Sequence, residues 1–286
     1  MRLYSRYVEP MSERPRMTPG NVIAAAITIY RERWRDLLKA TVVCVIPIVV
    51  FGLLVIATVA PEGVLEALGG TVSPEQSRAA FDALTADQKV TFLVMTMLSA
   101  GVSGLAQTLA FGACLVIVLD HRAGQTRPYA DAVRRALRKL PALLWVTLLT
   151  LILTVLGLIA LVVPGIWVFV AWSLAPVALF AEDRRGRSAG LRSVEVVKGN
   201  WWLVLFVGAL VIGAFLILEL VVGALFGAIL SPLTRDNAFG SFFASGLVSS
   251  TVWLIANGIH AAVVTVLFFD LRARKNAAIQ PSSATT

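Results

Sequence analysis

Apolar residues fall in six long runs, separated by shorter polar segments rich in arginine. A helix needs about 20 apolar residues to cross a hydrocarbon core of about 30 Å. The pattern therefore predicts an all-α integral membrane protein with six transmembrane helices, at about 37–60, 90–119, 142–163, 165–181, 201–230 and 245–269. Residues 18–275 form the predicted membrane domain, with a flexible tail at 1–17 and a disordered tail at 276–286.

Local signals refine these spans. The sequence TADQ, from Thr85 to Gln88, has the form of a capping box and predicts a helix that begins before the second span. Pro164 and Gly165 divide a run too long for one crossing, which predicts a tight turn between spans three and four. Pro47 and Pro176 lie inside spans one and four, where each is expected to kink its helix.

The basic residues predict the orientation, because positively charged loops stay in the cytoplasm. Of the 25 Lys and Arg residues, all but Arg78, Lys89 and Arg235 lie on one side of the predicted membrane. This alternation predicts that both termini lie in the cytoplasm and that the protein spans a cytoplasmic membrane.

Composition supports the same class of protein. At 58% hydrophobic and 15% charged residues, the chain is too apolar for a soluble domain. The net charge of +8 comes from basic residues beside apolar runs, so it predicts a bilayer with anionic headgroups as the partner, not nucleic acid.

An amphipathic segment, termed an elbow, precedes each outward-going span. The first elbow puts Ile23, Ile27 and Trp34 on one face, with arginines opposite. Such helices lie in the membrane interface with their basic face toward the headgroups. The pattern predicts three repeats of an elbow plus a hairpin of two spans. The residues predicted to contact headgroups are Arg31, Arg33, Arg35, Arg134, Arg135, Arg138, Lys139, Arg192 and Lys198.

Four stretches resemble the bacterial family called glycerophosphoryl diester phosphodiesterase membrane domain, especially its stand-alone, actinobacterial-type members. They are TPGNVIAAAITIYRERWRDLL (18–38), PGIWVFVAWSLAPVALFAE (164–182), GLRSVEVVKGNWW (190–202) and FFDLRARK (268–275). The resemblance implies a membrane module without the catalytic domain, and it attaches no chemistry to particular residues.

Catalytic signatures argue against an enzyme. His121-Arg122-Ala123-Gly124 is similar to the His-Arg-Gly motif of phosphodiesterases, but the following carboxylates and a chain segment long enough for a barrel are missing. No GxSxG, HExxH or phosphate-binding loop occurs, so neither a cofactor nor a metal is predicted. Cys44 and Cys114 are interpreted as small buried hydrophobic residues, although contact between them is compatible with their depth.

Ionisable and polar residues within spans are functional candidates by default, because burying them in lipid is costly. The candidates are Glu219, His260, Asn257 and Gln107. Glu219 is expected level with Ser249–Thr251, far in depth from His260, which disfavours a proton relay. These residues either line a polar seam or serve as snorkelling and interhelical contacts.

Small residues in spans two and five, including Gly101, Gly104 and Gly223, are expected to allow close helix packing. The favoured function is a non-enzymatic module that binds lipid or partner proteins, by self-association or within an envelope assembly, as a scaffold or regulator. The alternative is a small transporter or channel with a polar path near Glu219, Gln107 and Asn257. A membrane enzyme acting on lipid ranks third.

Overall fold

A computed structural model describes residues 17–59, 73–184, 186–234 and 238–279, apart from the side chains of 53–59, 74, 77, 227, 230–251 and 277–279. These residues form helices and no β-strand. In chain order the helices are α1 Pro19–Val59, α2 Pro74–Asp82, α3 Ala86–Arg122, α4 Tyr129–Ala160, α5 Val162–Trp172, α6 Ala175–Ala181, α7 Arg187–Val197, α8 Trp201–Thr234 and α9 Ala238–Ile279.

Five helical stretches among the described residues are long and apolar enough to cross a membrane. They are Ala86–Arg122, Tyr129–Ala160, Val162–Ala181, Trp201–Phe226 and Val252–Asn276. These match the second to sixth predicted spans. The first, 37–60, runs into side chains outside the described set, so the sixth crossing stays a prediction. The predicted tails at 1–17 and 276–286 lie almost entirely outside it as well.

The three elbows differ in the structure. The first is continuous with the first span in α1, with non-helical backbone at Arg33 (φ −119°, ψ 16°). The second is continuous with the third span in α4. Only α7 is a separate elbow helix, because the chain turns at Gly199, whose φ of +88° favours glycine, before α8 begins. The threefold elbow repeat is not established by this arrangement.

The turn between spans three and four lies earlier than predicted. Helix α4 ends at Ala160, Leu161 is extended (φ −165°, ψ 144°), and α5 begins at Val162. Proline fits in the first turn of a helix, where its missing N–H costs nothing, so Pro164 lies inside α5 and not in the turn. Gly165 is buried against α4, where a Cβ on Gly157 would come 2.8 Å from the Gly165 Cα.

The other local signals have mixed outcomes. The capping box at α3 is confirmed, with Thr85 N–H donating to Gln88 Oε1 (2.9 Å) and Gln88 N–H donating to Thr85 Oγ1 (3.3 Å). The fourth span is broken between α5 and α6, and Pro176 lies in the first turn of α6. In α1 the non-helical backbone is at Arg33 and not at Pro47, where the kink was predicted.

Helices α1, α3 and α9 pack together at the centre, with α4–α7 and α8 around them. Their buried side chains, such as Leu37, Leu115, Ile117 and Phe268, gather at the end of the bundle that also carries most of the ion pairs. We call this the charged end. Toward the other end, apolar side chains such as Met97 (74% exposed) point outward.

The glycines expected to pack helices in that other half do not do so within the described chain. A Cβ placed on Gly101, Gly104 or Gly223 would meet no atom within 4 Å. The prediction is wrong for Gly101 and Gly104, because the helix surface around them is exposed, whereas Gly223 is half-buried. Close approach occurs at other glycines, for example nearer the charged end, where a Cβ on Gly258 of α9 would come 2.7 Å from the Tyr30 ring of α1.

Candidate functional site: the charged end of the bundle

Polar contacts join successive helices at the charged end. The first links α1 to the end of α3, where His121 Nε2 lies 3.1 Å from Glu32 Oε2. The second links α3 to α4, because Arg135 Nη1 donates to both carboxylate oxygens of Asp120, at 2.8 and 2.9 Å. The Asp120 side chain is only 8% exposed, so this pair neutralises a buried charge.

The series continues from α4 to the segment between α6 and α7. Lys139 Nζ donates to Asp183 Oδ1 (2.6 Å) and to the Leu179 carbonyl (3.3 Å). The neighbouring Glu182 is surrounded by three arginines. Arg192 of α7 donates to both of its oxygens, at 2.8 and 3.1 Å, while Arg272 and Arg184 lie 3.6 and 3.5 Å away.

The end of α9 closes the series onto the beginning of the chain. Arg274 donates from Nη1 to Asn200 Oδ1 (3.2 Å) and from Nη2 to the Met17 carbonyl (2.7 Å). Its position is fixed by Asp270, whose Oδ2 lies 2.7 Å from Nη2. Contacts therefore run from α1 through α3, α4, α7 and α9 back to Met17, two residues before α1, and we call this set the polar ring.

Two further contacts tie the same elements together. Arg33, at the break in α1, donates from Nη2 to the Arg127 carbonyl (3.0 Å) in the α3–α4 connection and from Nε to Asp36 (3.1 Å). The Arg122 guanidinium lies 4.4 Å from the centre of the Phe269 ring, a cation–π distance. The polar ring thus holds α1, α3 and α9 in one register.

Electrostatics at Glu182 favour its charged form. Burial by itself raises the pKa of Glu182, but the hydrogen bonds from Arg192 and the charges of Arg192, Arg272 and Arg184 outweigh burial and hold this pKa below its usual value. The same hydrogen bonds with Glu182 raise the pKa of Arg192 against the opposing effect of burial. A carboxylate held this way binds cations on its own chain and is unsuited to proton transfer near neutral pH.

The described residues bring together no group of three or more His, Cys, Asp and Glu that could hold a metal ion. Among the described residues of the charged end, Asp36, Asp120, Asp131, Glu182, Asp183, Glu195 and Asp270 each face a Lys or Arg of the same chain. The geometry therefore supports a rigid platform on which these carboxylates are neutralised, with cations in excess.

Comparison with known proteins gives one family. The model of the uncharacterised protein family UPF0259 matches residues 65–255, about two thirds of the chain. The chain belongs to this family. None of the curated proteins and none of the solved structures match it. These findings do not link the chain to the glycerophosphoryl diester phosphodiesterase membrane domain.

In this UPF0259 chain the nine predicted headgroup residues divide into two groups. Arg33, Arg135, Lys139 and Arg192 bond to carboxylates of the chain itself. The others are exposed, namely Arg31, Arg35, Arg134, Arg138 and Lys198. Within this second group Arg35 lies over the Trp34 ring, 5.4 Å from its centre, and Arg134 is 3.7 Å from Asp131.

The four intramembrane candidates do not share one environment. Glu219 is exposed on α8, in a shallow hollow lined by Leu216, Leu220, Gly223 and Ala224. Asn257 is buried, whereas His260, one turn later, is exposed and lies 5.0 Å from the Phe111 ring. Gln107 is half-buried. The expected neighbours of Glu219, at 249–251, lie outside the described side chains.

The cysteines lie within the core, as interpreted from the sequence. Both are buried and reduced. Cys114 Sγ is 3.4 Å from Thr41 Oγ1 and 3.9 Å from the Leu37 carbonyl, which ties α3 to α1.

Sequence reasoning in this UPF0259 protein missed the acidic members of the polar ring. Asp120, Glu182 and Asp270 end the second, fourth and sixth spans, and each is followed two residues later by arginine, at 122, 184 and 272. This repeated acid-x-Arg pattern was the available signal. It was overlooked because the abundant arginines were counted for orientation and not matched with acids.

Proposed function

We propose that this protein is a non-enzymatic membrane module that binds anionic headgroups at the cytoplasmic face of a bacterial cytoplasmic membrane and serves there as a scaffold or regulator. One observation carries the proposal: the cations of the charged end divide into a paired group inside the polar ring and an exposed group on the elbows.

The exposed cations stand beside exposed apolar side chains. On α4, the Arg134 side chain is 75% exposed and Leu137 is 54% exposed. On α1, the exposed Arg31 and Arg35 accompany Trp34, which is 45% exposed. A helix surface of this composition suits the interface, with apolar groups toward the acyl boundary and cations toward phosphates.

The paired cations support the same role differently. Arg135 and Arg192 fix the elbows α4 and α7 to the bundle through Asp120 and Glu182. An elbow held in this way keeps its exposed cations at a constant depth. Because the elbow is already ordered before lipid binds, binding costs less conformational entropy.

Transport requires a polar path between helices, and the hollow at Glu219 is lined otherwise by Leu216, Leu220, Gly223 and Ala224, which does not favour one at that position. The scaffold proposal is therefore preferred.

The test compares neighbouring cations on one helix. The double variant Arg134→Glu, Arg138→Glu is placed in nanodiscs of mixed phosphatidylglycerol and phosphatidylcholine, and retained lipids are counted by native mass spectrometry. We expect a loss of phosphatidylglycerol enrichment of about tenfold with unchanged thermal unfolding, because each cation near an anionic surface contributes roughly 1 kcal/mol.

Arg135→Glu is the matched control. It breaks the pair with Asp120 and is expected to lower the unfolding temperature. The proposal would be contradicted if the Arg134→Glu, Arg138→Glu variant kept its phosphatidylglycerol enrichment and its function in cells.

A further inference from the structure

A dense group of charges gathers where α7 meets the end of α9. Its cations are Arg184, Arg192, Lys198, Arg272 and Lys275, and its carboxylates are Glu182 and Glu195. We call this set the α7–α9 basic cluster. It forms one sector of the polar ring and extends beyond it toward solvent.

The end of α9 is fixed in this position by two contacts. Arg272 reaches Glu182 (3.6 Å), and Arg274 donates to Asn200 Oδ1 (3.2 Å) in the turn between α7 and α8. Lys275 follows directly and lies three residues after Arg272, so the two share a face of the helix. Lys198 precedes Gly199 in the same turn, and its charge acts on Lys275, as do those of Arg192 and Glu195.

The charges in this cluster do not balance. Three of the arginines surround Glu182, and Arg192 also uses Glu195, at 3.0 Å. Lys198 and Lys275 add two positive charges, and the carboxylate among the described residues whose charge acts on Lys275 is Glu195, with a side chain that is 63% exposed. Five cations therefore face two carboxylates. Like charges held at short range repel, and a bound anion would relieve that repulsion.

The location indicates which anion. Lys198 is exposed, and the turn after it leads directly into α8, one of the apolar membrane-crossing candidates. Trp202, in the first turn of α8, is 66% exposed and has the character of an aromatic-belt anchor. An anion reaching this position beside an exposed tryptophan is the phosphate of a lipid headgroup, since cytoplasmic leaflets are rich in anionic lipid.

We infer that the α7–α9 basic cluster is a binding site for the phosphate group of one anionic phospholipid, with Lys198 and Lys275 as the contacting cations. Arg192 and Arg272, held by Glu182, position the two elements that carry these lysines. The inference rests on the proposed headgroup-binding role and adds one defined site to a diffuse surface.

The experiment uses the full chain in nanodiscs of phosphatidylglycerol and phosphatidylcholine, with bound lipid counted by native mass spectrometry. Lys198→Ala, Lys275→Ala is compared with Arg31→Ala, Arg35→Ala, which removes the same charge from another elbow. We expect the lysine variant to lose about tenfold in affinity for its tightest phosphatidylglycerol. The arginine variant should lose weakly held phosphatidylglycerol, as the proposed function requires, but change the affinity of the tightest one by less than about twofold. Thermal unfolding in phosphatidylcholine alone verifies that both variants are folded.

Equal losses in the two variants would overturn the defined site and leave the proposed function standing. No loss in either would overturn both. A titration with inorganic phosphate separates the two sources of the anion: displacement of phosphatidylglycerol by inorganic phosphate would show a soluble phosphate site, against the lipid assignment.

Discussion

Helix α3 is buried over its last part and exposed over its first part, although apolar residues dominate both. From Ala106 onward it contributes ten buried residues to the core, including Leu115 and Asp120. Nearer its start, Val90, Val94 and Met97 are 61%, 56% and 74% exposed. The buried part borders the polar ring. Apolar composition is thus enough to predict that α3 lies in the membrane, but only the part of α3 near the charged end is packed inside the bundle.

Helices α8 and α9 show the same contrast between elements. In α9, 61% of an apolar 18-residue stretch is buried. In α8, which is the more hydrophobic of the two helices, only 11% of the corresponding stretch is buried. In lipid, apolar side chains gain nothing from leaving the bilayer for a neighbouring helix, so close packing and polar contacts decide association. Helix α9 has both, through Gly258 against Tyr30 and through Arg274.

The largest effect should come from truncating a core residue at the charged end. Leu143 is fully buried, and Leu143→Ala is expected to lower the free energy of unfolding by about 3 kcal/mol, because it leaves a cavity. Leu220, on α8, is 73% exposed, and Leu220→Ala should change it by less than about 0.5 kcal/mol. Unfolding in mixed micelles with increasing sodium dodecyl sulfate measures both. Similar losses would contradict the contrast between the two regions.

A glycine pair sharpens the contrast at the level of single atoms. A Cβ on Gly190 of α7 would overlap the Trp172 ring, so Gly190→Ala should cost about 2 kcal/mol by overpacking. Gly213 of α8 has no atom within 4 Å of that position, and Gly213→Ala should be neutral or slightly stabilising. The same detergent titration measures both variants. A destabilised Gly213→Ala would contradict the open space around Gly213 on α8.

Breaking one pair of the polar ring should cost somewhat less. Arg135→Ala leaves the nearly buried Asp120 without its bidentate partner. The expected loss is about 1.5 kcal/mol, below that for a fully buried pair, because the Arg135 side chain is 45% exposed. Adding Asp120→Asn to Arg135→Ala should recover part of it. Failure to recover any would mean that the charge of Asp120 is not what Arg135 offsets.

The smallest effect is a loss of stability in acid. The pKa of Glu182 is lower in the folded protein than its usual value of 4.5, so its carboxylate stabilises the fold above that pH. This contribution is lost as the pH falls below 4.5 through the lowered folded-state pKa. Glu182→Gln should flatten this part of the stability profile while leaving the remaining acid dependence in place. A stability profile that is unchanged in Glu182→Gln would show that Glu182 does not cause this loss of stability in acid.

Several features were predictable from residues alone. The capping box at Thr85 is local and needs no tertiary context, and five apolar runs correspond to the candidate spans in the structure. The turn at Leu161 was placed wrongly because proline in the first turn of α5 is compatible with helix. The packing assigned to Gly101 and Gly104 failed because composition does not reveal which part of a helix meets a neighbour.

The candidate site was predicted only as a set of cations. The sequence showed nine basic residues on elbow faces, but not that four of them hydrogen-bond to carboxylates of the chain. Asp120 and Arg135 are close in sequence, yet Arg274 and Met17 are 257 residues apart. Such long-range partners are set by the arrangement of helices, which hydropathy does not encode.

The sequence by itself determined an apolar helical protein with its basic residues gathered beside one end of its spans. This follows from helix length, lipid thickness and the cost of charge in hydrocarbon, all of which are local properties. The tertiary structure alone decided which cations bond to carboxylates of the polar ring, which extend outside it, and where the bundle is packed. Those depend on which helices adjoin, because a bilayer solvates apolar surface as well as another helix does.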